Sequence, residues 1–377
     1  MNRAPRLDSL QGLRGLAAAL VVLSHLSSAG LNLHPSLMLK GFGTVGVYLF
    51  FTLSAFLLTR QFVLHPPDRA VDARWWGTYA VRRIARIYPV FTLALLATLA
   101  SPVIAVALGG PQPISILRHL ALLDGSKIFW AIPVEMKFYA VLPLLLLATR
   151  AVCGASWVVA AAPVAVAAAT ARILPPELDP RRSIQLVDFQ AIFLIGSAGA
   201  LAWNSIEQYR PSASVCIALD LLACMTLAAI LAPAVLPFPL AWSRQAAEAV
   251  FVAPIAWHGV AWTTFLLSAL AARGLVARVL ESRVLQSAGL VSFSMYLWHM
   301  PVIEVLRRSE LVTDRPVWMA TLMALVAVVA VSTLSYALVE RPVLAAVSRW
   351  SSRIATTSAE SSRGSSLRTA KKPISGA

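Results

Sequence analysis

Arg14 and His25 stand eleven residues apart in LRGLAAALVVLSHL, an apolar stretch with no other ionisable group. Eleven residues make about three helical turns, so the two side chains share one face about 16 Å apart along the axis. The guanidinium is a permanent cation with a planar fork of donors, and the imidazole takes up and releases a proton near neutral pH. In a bilayer core each such group costs roughly 2.5 kcal/mol or more unless it is paired or faces water. A binding and proton-transfer site is one reading of the pair. A snorkelling arginine with a histidine bonded to a neighbouring helix is the other.

The elements that position these groups follow from composition. Hydrophobic residues make up 58% of the chain and charged residues 13%, with a mean hydropathy of +0.73, which excludes an ordinary soluble globule. Apolar runs of spanning length recur near residues 16–34, 42–62, 88–109, 130–148, 152–170, 188–204, 214–235, 248–271, 284–306 and 317–339. The sequence thus predicts an all-α polytopic membrane protein of about ten transmembrane helices. With the N-terminus inside, 21 Lys and Arg fall in inner segments and ten in outer loops. That bias predicts two cytoplasmic termini. The net charge of +15 expresses the same asymmetry and suits an anionic inner leaflet, without implying nucleic-acid binding.

The basic start, LAAALVVL and the small residues Ser27, Ser28 and Ala29 also fit a cleavable secretory leader, a rival reading that would remove His25. Cys153, Cys216 and Cys224 lie in apolar runs and read as small buried hydrophobes. No metal-ligand spacing, phosphate-binding loop or dinucleotide fingerprint is present, so no metal is expected. Residues 1–345 read as one transmembrane domain. Residues 346–377, basic and Ser-rich, read as a disordered cytoplasmic tail.

Six segments in order carry a family resemblance: RLDSLQGLRGLAAALVVLSH, FGTVGVYLFFTLSAFLLTR, VRRIARIYPVF, FWAIPVEMKFYAVLPLL, GLVSFSMYLWHMP and YALVERP. They resemble signatures of the acyltransferase-3 family, bacterial membrane O-acyltransferases that modify surface glycans, lipids or antibiotics. The resemblance runs from Arg6 to about Pro342. Ala55 stands where the family usually has glycine, and no soluble domain follows the last helix. The resemblance implies acyl transfer from acyl-CoA, with His25 as the general base on the acceptor hydroxyl.

Arg83 and Arg86 share a helical face, and with Arg14 they would form a cytoplasmic cluster suited to the phosphates of acyl-CoA. Arg82 reads as a topological anchor. Glu135 is computed to lie at a depth similar to His25. It is the candidate to orient that imidazole, against a second reading as an ion pair locking helices together. His299, flanked by Tyr296 and Trp298, reads as an aromatic-belt residue, and Glu340 as a carboxylate that ties down a cytoplasmic arginine. The expected activity is transfer of an acyl group, in the first instance acetyl, from acyl-CoA to a hydroxyl of a surface glycan, lipid-linked sugar or secondary metabolite. The bacterial plasma membrane is the expected location. The alternative is a polytopic transporter of a lipid-linked sugar or anion, for which discontinuous helices in paired halves are expected.

Overall fold

With no water in a bilayer core to satisfy peptide groups, apolar runs close their hydrogen bonds within helices. A computed structural model describes residues 7–32, 39–64, 73–109, 115–153, 183–235 and 255–354, and every regular element among them is helical. In chain order these are α1 (Leu7–Ser28), α2 (Gly43–Leu64), α3 (Ala73–Ala100), α4 (Pro102–Gly109), α5 (Ile116–Leu120) and a 3₁₀ turn over Lys127–Trp130. There follow α6 (Ala131–Cys153), α7 (Leu186–Ile206), α8 (Ala213–Val235), α9 (Ile255–Ala272), α10 (Leu275–Leu280) and α11 (Arg283–Leu290). The last are α12 (Ser292–Arg307), α13 (Glu310–Thr313) and α14 (Val317–Ser335), which passes through a π-helical turn at Tyr336–Glu340 and continues to residue 354.

Among the described residues eight helices are long and apolar enough to cross a membrane, or nine if the bent pair α11–α12 counts as one span. The expected span 152–170, beyond Cys153 where α6 ends, and the start of the one at 248–271 lie outside the described residues. Besides α1, which runs over Leu7–Ser28 where 16–34 is expected, and the expected run 88–109, which is divided at Ser101 between α3 and α4, three further boundaries differ from expectation. α3 begins at Ala73, because RWWGTYAVRRIAR is helical yet too polar to register as membrane sequence. The sequence reads 284–306 as one span, but the helix breaks at Val291 and turns by 79°. There Gly289 lies so close to α1 that a Cβ would stand 1.9 Å from the Gln11 carbonyl oxygen. Third, the tail expected from residue 346 is helical as far as Ile354, and its remainder lies outside the described residues.

Helix α1 is the hub. Leu13, Ala17, Ala18, Val21 and Leu26 have no exposed surface, and the helix packs on α2, α10, α11 and α12. By contrast Ile217, Leu221 and Met225 of α8 and Leu322, Val326 and Leu334 of α14 point outward, an apolar exterior suited to lipid. Polar ties mark which helix ends lie together. Arg60 at the end of α2 pairs with Glu207 just after α7 at 2.9 Å, and Arg82 of α3 bonds Ser351 near the end of α14 at 2.9 Å. Asp220 of α8 accepts from the backbone N–H groups of Leu275 and Val276, capping α10, and so is a satisfied structural group. The ends of α2, α7 and α14 therefore meet the start of α3, which is the arrangement of alternating spans.

Candidate active site

One cavity, about 440 Å³, opens among α1, α2, α3, α6, α12 and the end of α14. Arg14, Arg82, Arg83 and Arg86 line it with a single carboxylate, Glu135. The four cations do not have equivalent surroundings. Arg86 pairs with Glu340, which is 1% exposed and accepts a second hydrogen bond from Ser294 at 3.0 Å. The π turn carries Glu340 to this position, and such turns often occur where a side chain must be re-aimed. Arg82 bonds Ser351. Arg83 lies against two aromatic rings, 5.6 Å from the Tyr79 centroid and 5.7 Å from that of Tyr139. Its Nε is buried with no hydrogen-bond partner, and its terminal nitrogen reaches only Gln61 at 3.4 Å. Arg83 thus lines the cavity without the carboxylate partner that Arg86 has, and its guanidinium is a charge-assisted donor suited to an anionic ligand.

A second cavity, about 350 Å³, lies at the opposite end of α1. His25 lines it with Ser24, Ser28, Thr44, Lys40, Lys127 and Trp130. Its Nδ1 is 2.9 Å from the Val21 carbonyl oxygen and 3.2 Å from His299 Nε2, and the two rings are 4.8 Å apart between centroids. The start of α2 approaches this ring because residue 43 is glycine: a Cβ there would stand 3.0 Å from His25 Cε1. Val47 and Tyr296 line both cavities, so the arginines and the histidine face adjoining chambers along α1 with these two side chains in the shared wall. The Tyr296 hydroxyl donates to the Ile128 carbonyl, fixing the ring between them.

The structure thus brings Arg14, Arg83 and Arg86 to one cavity and puts His25 in the next. Glu135 is elsewhere than expected. Ser54 and Tyr139 both donate to it, and it lines the arginine chamber, where its charge lies among the guanidinium groups. His299 corrects the sequence reading in the other direction. It is fully buried against His25, while Trp298 beside it turns to Ser335 at 2.9 Å. Glu340 does tie down an arginine, as its position before Arg341 implied. Sequence reasoning missed Tyr79 and Tyr139 altogether, although Tyr79–Arg83 and Glu135–Tyr139 are both spaced i, i+4 on a helix.

A family model described as an acyltransferase domain matches residues 7–339. A Komagataeibacter xylinus protein named membrane-bound transacylase BcsY is similar to the chain, 28% identical over 363 residues, covering 89% of this chain and 82% of the relative. No solved structure matches.

Proposed function

The chain belongs to the acyltransferase-3 family and is a membrane acyltransferase, and from that premise we propose a path for the acyl group. Acyl-CoA enters from the cytoplasm with its phosphates on Arg14, Arg83 and Arg86. The pantetheine arm runs along α1 past Val47 and Tyr296 and presents the thioester to His25. The acceptor is a hydroxyl of a surface glycan, lipid-linked sugar or secondary metabolite, and the acyl group is acetyl in the first instance.

In the chemical step His25 takes the proton from the acceptor hydroxyl as its oxygen attacks the thioester carbonyl. A C–O bond forms, the C–S bond breaks, and the imidazolium returns the proton to the departing thiolate. No acyl-enzyme is needed, since holding both reactants at one imidazole supplies the advantage of proximity. Glu135 offsets part of the positive charge of the donor chamber and holds Tyr139 against Arg83, so it serves the donor end of the path. The reading places the protein in the bacterial plasma membrane, with the arginine end cytoplasmic.

The observation that supports this most is the pair of adjoining cavities along one helix, cationic at one end and holding a titratable imidazole at the other. The test is purified full-length protein in lipid nanodiscs with radiolabelled acetyl-CoA and an extract of envelope glycans and lipids as acceptor. Label should move to the extract with the wild type and not with His25→Ala, which should still bind CoA. Equal transfer by both proteins would remove His25 from the reaction.

A further inference from the structure

We propose that His299 is a positioning residue that fixes the proton of His25 on Nδ1 and leaves its Nε2 as the bare, basic nitrogen. The inference rests on the reading of His25 as the base and adds which nitrogen does the work. Three contacts decide it. His25 Nδ1 is 2.9 Å from the Val21 carbonyl oxygen, His299 Nδ1 is 3.2 Å from the Met295 carbonyl oxygen, and His299 Nε2 is 3.2 Å from His25 Nδ1.

A carbonyl oxygen only accepts, so each of the two Nδ1 atoms must carry a hydrogen to avoid setting lone pair against lone pair. With Nδ1–H on His299, the Nε2 of that neutral ring is an acceptor, and the group facing it is the Nδ1–H of His25. One assignment therefore satisfies all three contacts, and shifting either proton to Nε2 breaks at least one. His25 then shares its Nδ1–H between Val21 and His299.

The outcome resembles the role of a carboxylate behind a catalytic histidine, with a neutral imidazole in its place. When His25 takes the acceptor's proton at Nε2 and becomes a cation, its Nδ1–H bonds become charge-assisted and strengthen as the charge forms. A carboxylate at that depth would be a permanent buried charge needing its own partner, which His299 avoids. His299 itself is not a second base, because its ring is fully buried and its one lone pair is already used.

Two measurements test this on the full-length protein in bilayers. The first is nitrogen-15 magnetic resonance of histidine-labelled protein, with His25 and His299 assigned by the variants His25→Gln and His299→Gln. Hydrogens on Nδ1 of both rings are expected, and a hydrogen on Nε2 of either neutral ring overturns the proposal. This result does not depend on activity, so it stands apart from whether His25 is the base. The second compares two substitutions by transfer of label from acetyl-CoA to envelope extract. His299→Gln keeps an acceptor near the Nε2 position, whereas His299→Asn keeps only the donor toward Met295. His299→Asn should lower kcat about 10- to 100-fold, the usual effect of removing the group that orients a histidine. His299→Gln should recover most of that loss, and KM for acetyl-CoA should be unchanged in both. A His299→Asn protein with wild-type kcat, or one whose loss His299→Gln does not relieve, contradicts the assignment.

Discussion

Arg83 and Arg86 stand three residues apart, yet removing each should have a different consequence. Arg83 lines the donor cavity with no carboxylate paired to it among the described residues, so Arg83→Ala should weaken CoA binding by about 1.5–3 kcal/mol, the value of a hydrogen bond to a charged group. Arg83→Lys should recover only part, since an ammonium has no planar fork. Arg86→Ala should weaken CoA binding as well and, in addition, leaves the buried Glu340 carboxylate without its ion-pair partner. That costs about 3–5 kcal/mol of stability, visible as a lower Tm in the absence of ligand and largely reversed in an Arg86→Met, Glu340→Met double variant. Arg210, exposed in the loop before α8, is the control for surface charge. Titration calorimetry with CoA and thermal melts of the same preparations separate the two effects. If Arg210→Ala weakens CoA binding as much as Arg83→Ala does, the cluster is only a topological anchor. Much of this residue-level picture was legible in the sequence, because an arginine, a histidine or a glutamate in an apolar run is conspicuous. His299 was not, since Tyr296 and Trp298 on either side give the same signal as an interfacial belt, and only the fold turns the imidazole inward.

At the scale of elements, the site depends on how closely helices can approach α1. Gly43 bears most directly on the imidazole: the Cβ of alanine would meet His25 Cε1 at 3.0 Å and Nδ1 at 3.4 Å, pressing the ring by a few tenths of an ångström against its contact with His299. Gly43→Ala should therefore reduce acyl transfer, by less than the roughly 10²-fold that a misplacement of about 1 Å costs, with CoA affinity unaltered. Unchanged turnover would mean that the imidazole has room to spare. Gly12 serves the packing alone. Its Cβ would stand 1.8 Å from the Leu280 carbonyl oxygen, so Gly12→Ala should force α1 from α10 and destabilise the fold by about 1–3 kcal/mol. A thermal melt checks it. Most of the described spans were readable from hydropathy, whereas the break at Val291 was not, because hydropathy averages over Gln286, Ser287 and Ser292 and carries no mark of where a neighbour bends a helix. The π turn at Tyr336–Glu340 was equally silent in the sequence.

For the whole molecule, the two chambers imply direction. Arg60, Glu207, Arg82 and Ser351 gather at the end of the bundle that holds the arginine cavity, and His25 opens at the other. On the proposed reading, in which the 21-to-ten bias of Lys and Arg orients the chain, the arginine end is cytoplasmic. A cytoplasm-active reporter fused after Ala377 should accordingly be active, and a periplasm-active one silent. The reverse pattern would turn the molecule over and put the donor site outside. Six ordered motifs made the family legible, but the acceptor was not, since a cavity lined by Lys40, Lys127, Ser24, Ser28 and Thr44 admits many hydroxyl compounds.

The central claim, that acyl-CoA is held at the arginine end and spent at His25, is tested most directly in sealed inside-out membrane vesicles given radiolabelled acetyl-CoA from outside. The wild type should transfer label to membrane or lumenal acceptor. His25→Ala should bind the same amount of CoA and transfer at a rate lower by about 10²- to 10⁴-fold, the loss expected of a missing general base. Transfer by His25→Ala at the wild-type rate, or transfer by wild-type protein only in right-side-out vesicles, would contradict the account.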